Sequence, residues 1–291
     1  RMHFRTHVKD ELRGISGQDE YGDGMVEHDR HIGLFLAKID ELGIADNTIV
    51  IYSTDNGSQT NTYPDGGMEP FRGEKGSTWE GGFRVPALIR WPGVVEPGRV
   101  INDIFSHQDW LPTLLAAAGE PGIVGKLKNG HRAGDKTYKV HLDGYDQSEL
   151  LAGKGPGKRS TVYYFDDNAN FNALRWNDWK IHFAVNWQGW AGPREAFNFP
   201  RLIHLRSDPY ETSLDSGLYT RFFGDQLWLF VPVQQEVGKW LMTFREFPPR
   251  QPTASCTIDR MMAMMQQMLQ ARAMGGAPAG APGGQKPPPK N

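Results

Sequence analysis

The fold is decided by residues 49–57, Ile-Val-Ile-Tyr-Ser-Thr-Asp-Asn-Gly, where an apolar β-branched run leads into polar residues and a glycine. Such a run predicts a parallel strand that is covered on both faces. In open α/β sheets, ligands bind beyond the carboxyl ends of such strands, so we expect Asp55 and Asn56 at a ligand-binding rim. Their carboxylate and carboxamide oxygens suit a hard cation such as Ca²⁺ or Mg²⁺.

A simple turn at Asn56 and Gly57 is the alternative interpretation, because Asn-Gly is also the strongest short signal for a β-hairpin. Residues 58–67 are polar and rich in turn formers, and they contain no run typical of a partner strand. This favours a loop at the rim of a sheet over a hairpin.

The segments around this strand predict an α/β unit. Apolar residues at helical spacing indicate an amphipathic helix over 19–42, which Gly43 ends. A second strand is predicted at 85–91, and a helix with Asp109 as its N-cap is predicted to run to about Ala118. After this helix we expect a polar loop at 120–136, a short strand at 139–142 and a short helix at 147–151.

The long loop 58–84 carries a candidate anion contact. Lys75 precedes Gly-Ser-Thr, whose small residues let the backbone approach an oxyanion while the ammonium supplies a point charge. An ordinary surface lysine is the alternative. We expect Arg84 to form a structural ion pair and His107, at a helix start, to bond to backbone.

The composition changes after residues 153–159, which read as a linker. Beyond it, four short runs predict antiparallel strands, at 161–165, 171–175, 179–183 and 202–205. Helices are predicted around 233–244 and 258–272. The predicted division is 1–153 for an α/β domain, 160–272 for a subdomain with an antiparallel sheet and helices, and 273–291 for a disordered Gly/Pro-rich tail.

Bulk properties exclude several classes of protein. The chain has 291 residues with 32 basic and 34 acidic side chains, which gives no support for nucleic-acid binding. Cys256 is the only cysteine, so no internal disulfide or cysteine-based zinc site is expected. No apolar run is long enough to span a membrane. Because the chain begins at Arg1 with sequence typical of a domain interior, we expect an N-terminally truncated or processed piece.

Six blocks in order resemble type I, formylglycine-dependent sulfatases of the bacterial arylsulfatase kind, in the alkaline phosphatase superfamily. The resemblance covers most of residues 1–272, and the blocks lie at 54–57, 75–86, 106–119, 142–145, 175–180 and 205–211. It implies the C-terminal part of an alkaline-phosphatase-like α/β domain, with a mostly parallel sheet flanked by helices, followed by a small α+β domain with an antiparallel sheet. It also implies a periplasmic or secreted location.

The resemblance also implies roles for individual residues. Asp55 and Asn56 are implied as two ligands of Ca²⁺ (or Mg²⁺), and Lys75 as a contact to the sulfate and the leaving-group oxygen. His7 best matches the family's sulfate-contacting histidine in this half, with His3 as the fallback. The implied substrate is a small-molecule or carbohydrate sulfate ester.

The departures from the family pattern concern the nucleophile. The family's Cys-x-Pro-x-Arg, whose cysteine becomes formylglycine, is missing here, and Cys256 lies in Ala-Ser-Cys-Thr-Ile. The paired N-terminal aspartates of the metal site are missing as well. We therefore expect formylglycine in an N-terminal half beyond this chain, and an isolated chain without activity. The alternatives are a phosphatase or phosphonate monoester hydrolase of the same superfamily and a non-catalytic degenerate homologue.

Overall fold

The computed structural model describes residue 3 and residues 6–60, 67–187 and 189–250, together with 265, 266, 269 and 270. Residues 1–250 form one compact unit and 251–291 form a second. The four described residues of the second unit are helical, while the rest of the helix predicted at 258–272 and the tail from 273 lie outside the described residues.

Helix α1 spans Glu20–Glu41 and confirms the helix predicted at 19–42. It begins where the Asp19 side chain accepts a hydrogen bond from the Gly22 amide at 2.6 Å, which is the ordinary action of an N-cap. Its buried residues are polar or small, namely Asp23, Gly24 and Glu27, whereas Leu34 and Phe35 are 67% and 69% exposed. In the described chain, the buried face of α1 is therefore formed by polar and small residues, and apolar residues such as Leu34 and Phe35 lie on an exposed face.

Strand β1, Val50–Ser53, pairs antiparallel with β2, Ala87–Arg90, so the expectation of a parallel, fully covered strand at this position is wrong. Residues 54–86 turn the chain back beside β1, and an apolar β-branched run favours a strand without specifying its direction. β1 is half-buried along its length, since β2 is the only strand paired with it among the described residues.

The region after β2 is more structured than expected. A 3₁₀ turn, His107–Asp109, leads into α3, Trp110–Ala117, which is followed by α4, Ile123–Asn129. The hairpin β3–β4 (His131–Ala133 and Lys136–Tyr138) and the short helix α5 (Ser148–Leu151) complete it.

Three expectations for this region are corrected. Residues 120–136 contain α4, and the strand expected at 139–142 lies earlier, in a hairpin that turns at Gly134 with φ 60°. Ser106, rather than Asp109, caps the helix start, and the Asp109 side chain accepts a hydrogen bond from the Ser106 amide instead.

The four predicted antiparallel strands are confirmed and form one sheet in the order β5-β6-β7-β8. They are β5 (Thr161–Phe165), β6 (Phe171–Trp176), β7 (Trp179–Asn186) and β8 (Arg194–His204). The expected turn between β6 and β7 lies at Asn177, whose φ of 54° is a conformation that asparagine tolerates.

Helices α6, Tyr219–Asp225, and α7, Phe230–Glu246, follow this sheet, and α7 confirms the helix expected around 233–244. Two clusters of apolar side chains pack on the sheet. The first is built from Leu174, Ile181, Leu202, Leu229 and Val233. The second contains Trp79, Val185, Ile203 and Leu205, and so attaches the long loop before α2, Glu80–Phe83, to the sheet.

The predicted linker is well anchored. Arg159 is buried and forms a bidentate pair with Asp109 at 2.7 and 2.9 Å. The amides of Gly157 and Lys158 donate to the side chains of Asp103 and Gln147. The division of the chain at 153–160 stays a prediction.

Candidate functional site

The end of β1 forms a rim of close backbone contacts. The amide of Gly57 donates to the carbonyl of Gly82 at 3.1 Å. A Cβ atom at Gly57 would lie 1.7 Å from the carbonyl oxygen of Gly81, so only glycine fits. The strand paired with β1 begins at Ala87, and the Asn-Gly pair is therefore part of a rim loop and not a two-residue hairpin turn.

A cavity of about 670 Å³ opens at this rim, and Asp55, Asn56 and Lys75 line it together. Asp55 is exposed, whereas Asn56 and Lys75 are half-buried. A second cavity of about 830 Å³ is lined by the same three residues and by Glu69, Arg84 and Pro86, which also line the first. The structure thus brings together three side chains that are separated by up to twenty positions in the sequence.

The histidines of the N-terminal segment differ in position. His3 lines the first cavity, whereas His7 is exposed and is not among the described residues that line it. Assignment of the sulfate contact to His7, with His3 as the fallback, stays a prediction. The segment is fixed to α1 by Asp23, which accepts hydrogen bonds from the amides of Gly14 and Ser16 and from the Ser16 hydroxyl at 2.6–2.8 Å. The Ser16 hydroxyl and the two amides lower the pKa of the Asp23 carboxyl.

One face of α1 contributes to the first cavity and was missed as a functional face in the sequence. Tyr21, Met25 and His28 all line it. Nε2 of His28 lies 3.2 Å from the hydroxyl of Tyr52, which also lines the cavity. The spacing i, i+4, i+7 places the three side chains on one helix face, and this was the available signal.

Arg84 has a structural ion pair, as predicted, and it also faces both cavities. Its Nε lies 3.0 Å from Oε2 of Glu80, and its guanidinium lies 4.4 Å above the ring of Phe71. His107 bonds to backbone as predicted, donating from Nε2 to the carbonyl of Thr54 at 2.9 Å. The His107 contact joins the end of β1 to the segment that follows β2.

Beneath the loop lies a buried charge network centred on Glu80. Its Oε1 accepts hydrogen bonds from Nζ of Lys180 at 3.0 Å and from the Tyr164 hydroxyl at 2.8 Å. Burial by itself would raise the pKa of the Glu80 carboxyl, but the charge and hydrogen bond of Lys180 and the hydrogen bond of Tyr164 lower it to about 2. Burial and the neighbouring Glu80 charge raise the pKa of Tyr164 well above its ordinary value.

Glu211 forms the other half of this network. Its carboxylate accepts hydrogen bonds from the Glu80 amide at 2.6 Å and from Nε2 of His182 at 3.0 Å, and it forms an ion pair with Nζ of Lys180 at 3.0 Å. Burial lowers the pKa of His182 despite the hydrogen bond to Glu211. Because an ionised carboxylate can only accept, Nε2 of His182 is the donor in this contact. Although burial opposes it, the charge of Lys180 lowers the pKa of Glu211.

The sequence of β7 carries a signal for this network. Lys180 and His182 alternate with Ile181 and Phe183 in β7, so two polar side chains share one face of a strand that is buried on both faces. A charged residue on a covered strand face needs a partner, which here comes from residues 80 and 211.

The donor set for a metal is partial. No cluster of three or more His, Cys, Asp or Glu side chains able to hold a metal ion occurs among the described residues. Asp55 and Asn56 fit a hard cation in chemistry and in position, but two side chains supply fewer oxygens than the six to eight that Ca²⁺ takes. Within the described ranges, no helix is long and apolar enough to cross a membrane.

Comparison with known proteins shows which family this chain resembles. The family profile described as Sulfatase matches residues 5–120. Human arylsulfatase A is 38% identical over 173 residues, which are 58% of this chain and 31% of that protein. Mouse steryl-sulfatase is 34% identical over 238 residues, which are 72% of this chain and 36% of that protein.

The fold agrees with this relationship. The crystal structure of the sulfatase PsFucS1 from Pseudoalteromonas sp. superposes with a TM-score of 0.72 at 27% identity, covering 86% of this chain and 48% of that one. The architecture is thus the mixed α/β fold of alkaline-phosphatase-like proteins, as predicted. Within the described residues every strand pair is antiparallel, so the mostly parallel sheet expected with this fold is not seen there. Residues 5–120 match the sulfatase family, and the chain is similar to sulfatases in sequence and in fold. It spans less than half the length of each of these three relatives.

Proposed function

We propose that this chain forms part of a sulfuric ester hydrolase and that the cavity at the end of β1 is its sulfate site. The observation that supports the proposal most strongly is the convergence of Asp55, Asn56 and Lys75 on one cavity in a chain whose residues 5–120 match the sulfatase family. A carboxylate and a carboxamide oxygen beside an ammonium suit a cation and the anion that it binds.

In this proposal Asp55 and Asn56 hold Ca²⁺, or Mg²⁺, through their side-chain oxygens. The bound cation would supply electrostatic stabilisation of the sulfate oxygens. The remaining ligands and the formylglycine nucleophile are assigned to a part of the full-length protein outside this chain. The contribution of the present residues is to fix the rim, which the contact between Gly57 and Gly82 holds in place.

Lys75 is proposed to bind the sulfate group and to stabilise the oxygen of the departing alcohol or phenol. Its ammonium acts as a point charge, and its backbone amide is held at 2.9 Å from the carbonyl of Ser58, which keeps the loop beside the rim. A histidine of the N-terminal segment, His7 or His3, is proposed as a second contact. The substrate class is a small-molecule or carbohydrate sulfate ester.

The test is Lys75→Ala in the full-length protein, assayed with 4-nitrophenyl sulfate and with 4-nitrophenyl phosphate. We expect kcat/KM for the sulfate to fall about 100-fold or more, because a charge that stabilises the transition state is removed. Lys126→Ala is the matched control, because Lys126 is a surface lysine that pairs with Glu120 and lines neither cavity at the rim.

Near-normal kcat/KM in Lys75→Ala would remove this lysine from the site. A preference of the unmodified protein for the phosphate ester would favour a phosphatase or phosphonate monoester hydrolase of the same superfamily. Loss of folding is monitored in parallel by circular dichroism, so that a catalytic defect is separated from an unfolded protein.

A further inference from the structure

We propose that Lys180 is a positioning residue, which sets the rim of the candidate site by holding Glu80 and Glu211 together. It lies in β7 of the antiparallel sheet, and its side chain is fully buried. Nζ lies 3.0 Å from a carboxylate oxygen of Glu80 and 3.0 Å from one of Glu211. The inference rests on the proposed function only where it concerns catalysis.

The charge of Lys180 offsets the repulsion between two buried carboxylates. Two carboxylates, Glu80 and Glu211, are almost completely excluded from solvent. Two buried negative charges that lie close together repel each other unless a cation lies between them. Lys180 is the cation that lies 3.0 Å from both, whereas Arg84 and Arg175 lie 3.0 and 4.0 Å from the other carboxylate oxygen of Glu80, Oε2. Removal of the Lys180 charge therefore separates the two carboxylates.

The two carboxylates are connected to the loop that carries Lys75. Glu80 is the first residue of α2, and its amide donates to Glu211 at 2.6 Å. Arg72, which precedes Lys75 in the same loop, donates from Nη1 to the carbonyl of Glu211 at 2.8 Å. Trp79 is buried against His182, with ring centroids 4.5 Å apart. The loop is thus fixed on both sides of Lys75, by Arg72 to Glu211, which follows β8, and by Trp79 to His182 of β7.

Backbone hydrogen bonds connect α2 to the rim at the end of β1. The amide of Gly81 donates to the carbonyl of Arg72 at 2.7 Å, and the carbonyl of Gly82 accepts from the amide of Gly57 at 3.1 Å. A Cβ at Gly81 would lie within 2.6 Å of three backbone oxygens. Because the backbone is tightly packed at these contacts, a displacement of Glu80 also moves Gly57, which follows Asn56.

The test compares Lys180→Met with Asn172→Leu in this chain by hydrogen exchange. Met retains much of the lysine volume without its charge. Asn172 is a buried polar residue of the same sheet, and among the described residues its side chain forms hydrogen bonds with Asn186 and Arg194 and none with the loop. We expect Lys180→Met to accelerate exchange of the amides of residues 72–84 about tenfold relative to those of α1. Asn172→Leu is expected to leave that ratio unchanged.

Tyr164→Phe is the second variant, in case Lys180→Met does not fold. It removes one hydrogen bond to Glu80 and retains every charge, so a smaller acceleration in the same segment is expected. Exchange of 72–84 within twofold of the unmodified chain in both variants would overturn the inference. Equal acceleration in Asn172→Leu would do so as well, since it would indicate general destabilisation.

The catalytic consequence is measured separately in the full-length protein. With the positioning role, Lys180→Met lowers kcat for a sulfate ester about tenfold at a temperature where the variant is fully folded, while Asn172→Leu retains kcat. If Lys180→Met accelerates exchange but the full-length protein hydrolyses no sulfate ester, the proposed function fails and the positioning role of Lys180 is supported.

Discussion

Asp55 and Asn56 illustrate how much a short sequence can indicate about a site. An apolar run ending in a carboxylate and a carboxamide predicts a rim with oxygen donors, and the structure places both residues at a cavity with Lys75. What the sequence does not contain is the reason for Gly57, because the carbonyl of Gly81 that excludes a side chain there lies in another loop. Contacts of this kind depend on the fold.

Gly57→Ala is expected to destabilise the chain by about 1–3 kcal/mol, since the new Cβ overlaps backbone and forces the rim apart. Gly33→Ala is the matched control: Gly33 lies within α1, and a Cβ there meets nothing within 4 Å. That change should stabilise by about 0.5–1 kcal/mol, because alanine favours a helix over glycine. Urea denaturation of the two variants gives both values, and equal effects would contradict the close contact at the rim.

At the scale of elements, the sequence predicted α1, α7 and all four strands of the antiparallel sheet, because hydrophobic periodicity is local. It failed for the direction of β1, since pairing is decided by how residues 54–86 return the chain. It also failed for the polar buried face of α1, where Asp23 and Glu27 lie. The network of Glu80 was likewise missed, because its members come from four separate segments.

The attachment of α2 to the sheet should depend on pH through Glu80. The pKa of this carboxyl is lowered from 4.5 to about 2, so its ionised form stabilises the folded chain above about pH 4.5. This contribution, on the order of 3 kcal/mol, is lost as the pH falls towards 2. Glu80→Gln is therefore expected to be less stable than the unmodified chain at pH 6, with the difference shrinking towards pH 3.

The measurement is the free energy of unfolding from urea titrations between pH 3 and pH 6. Glu41→Gln is the control, because Glu41 forms an exposed pair with Lys38 at the end of α1 and its loss should change stability little at any pH. A constant difference between Glu80→Gln and the unmodified chain across this range would show that Glu80 titrates normally.

The chain contains part of a candidate site and is much shorter than its relatives. The chain spans 31% of human arylsulfatase A and 48% of the PsFucS1 chain, yet it contains a rim, a cavity and the network that holds them. The two side chains proposed as metal ligands are too few for Ca²⁺, and Cys-x-Pro-x-Arg is absent from the sequence. The architecture was predictable because the motif blocks occur in order, whereas the completeness of the site depends on residues beyond them.

The isolated chain is accordingly expected to show no turnover of 4-nitrophenyl sulfate above the uncatalysed rate, with or without added Ca²⁺. The physical reason is that Asp55, Asn56 and Lys75, which we propose to bind and orient the sulfate, supply no nucleophile. The full-length protein, assayed at the same molar concentration, is the positive control. Turnover by the isolated chain that disappears in Lys75→Ala would show that the described cavity is sufficient for catalysis, and that the nucleophile must be sought within these 291 residues.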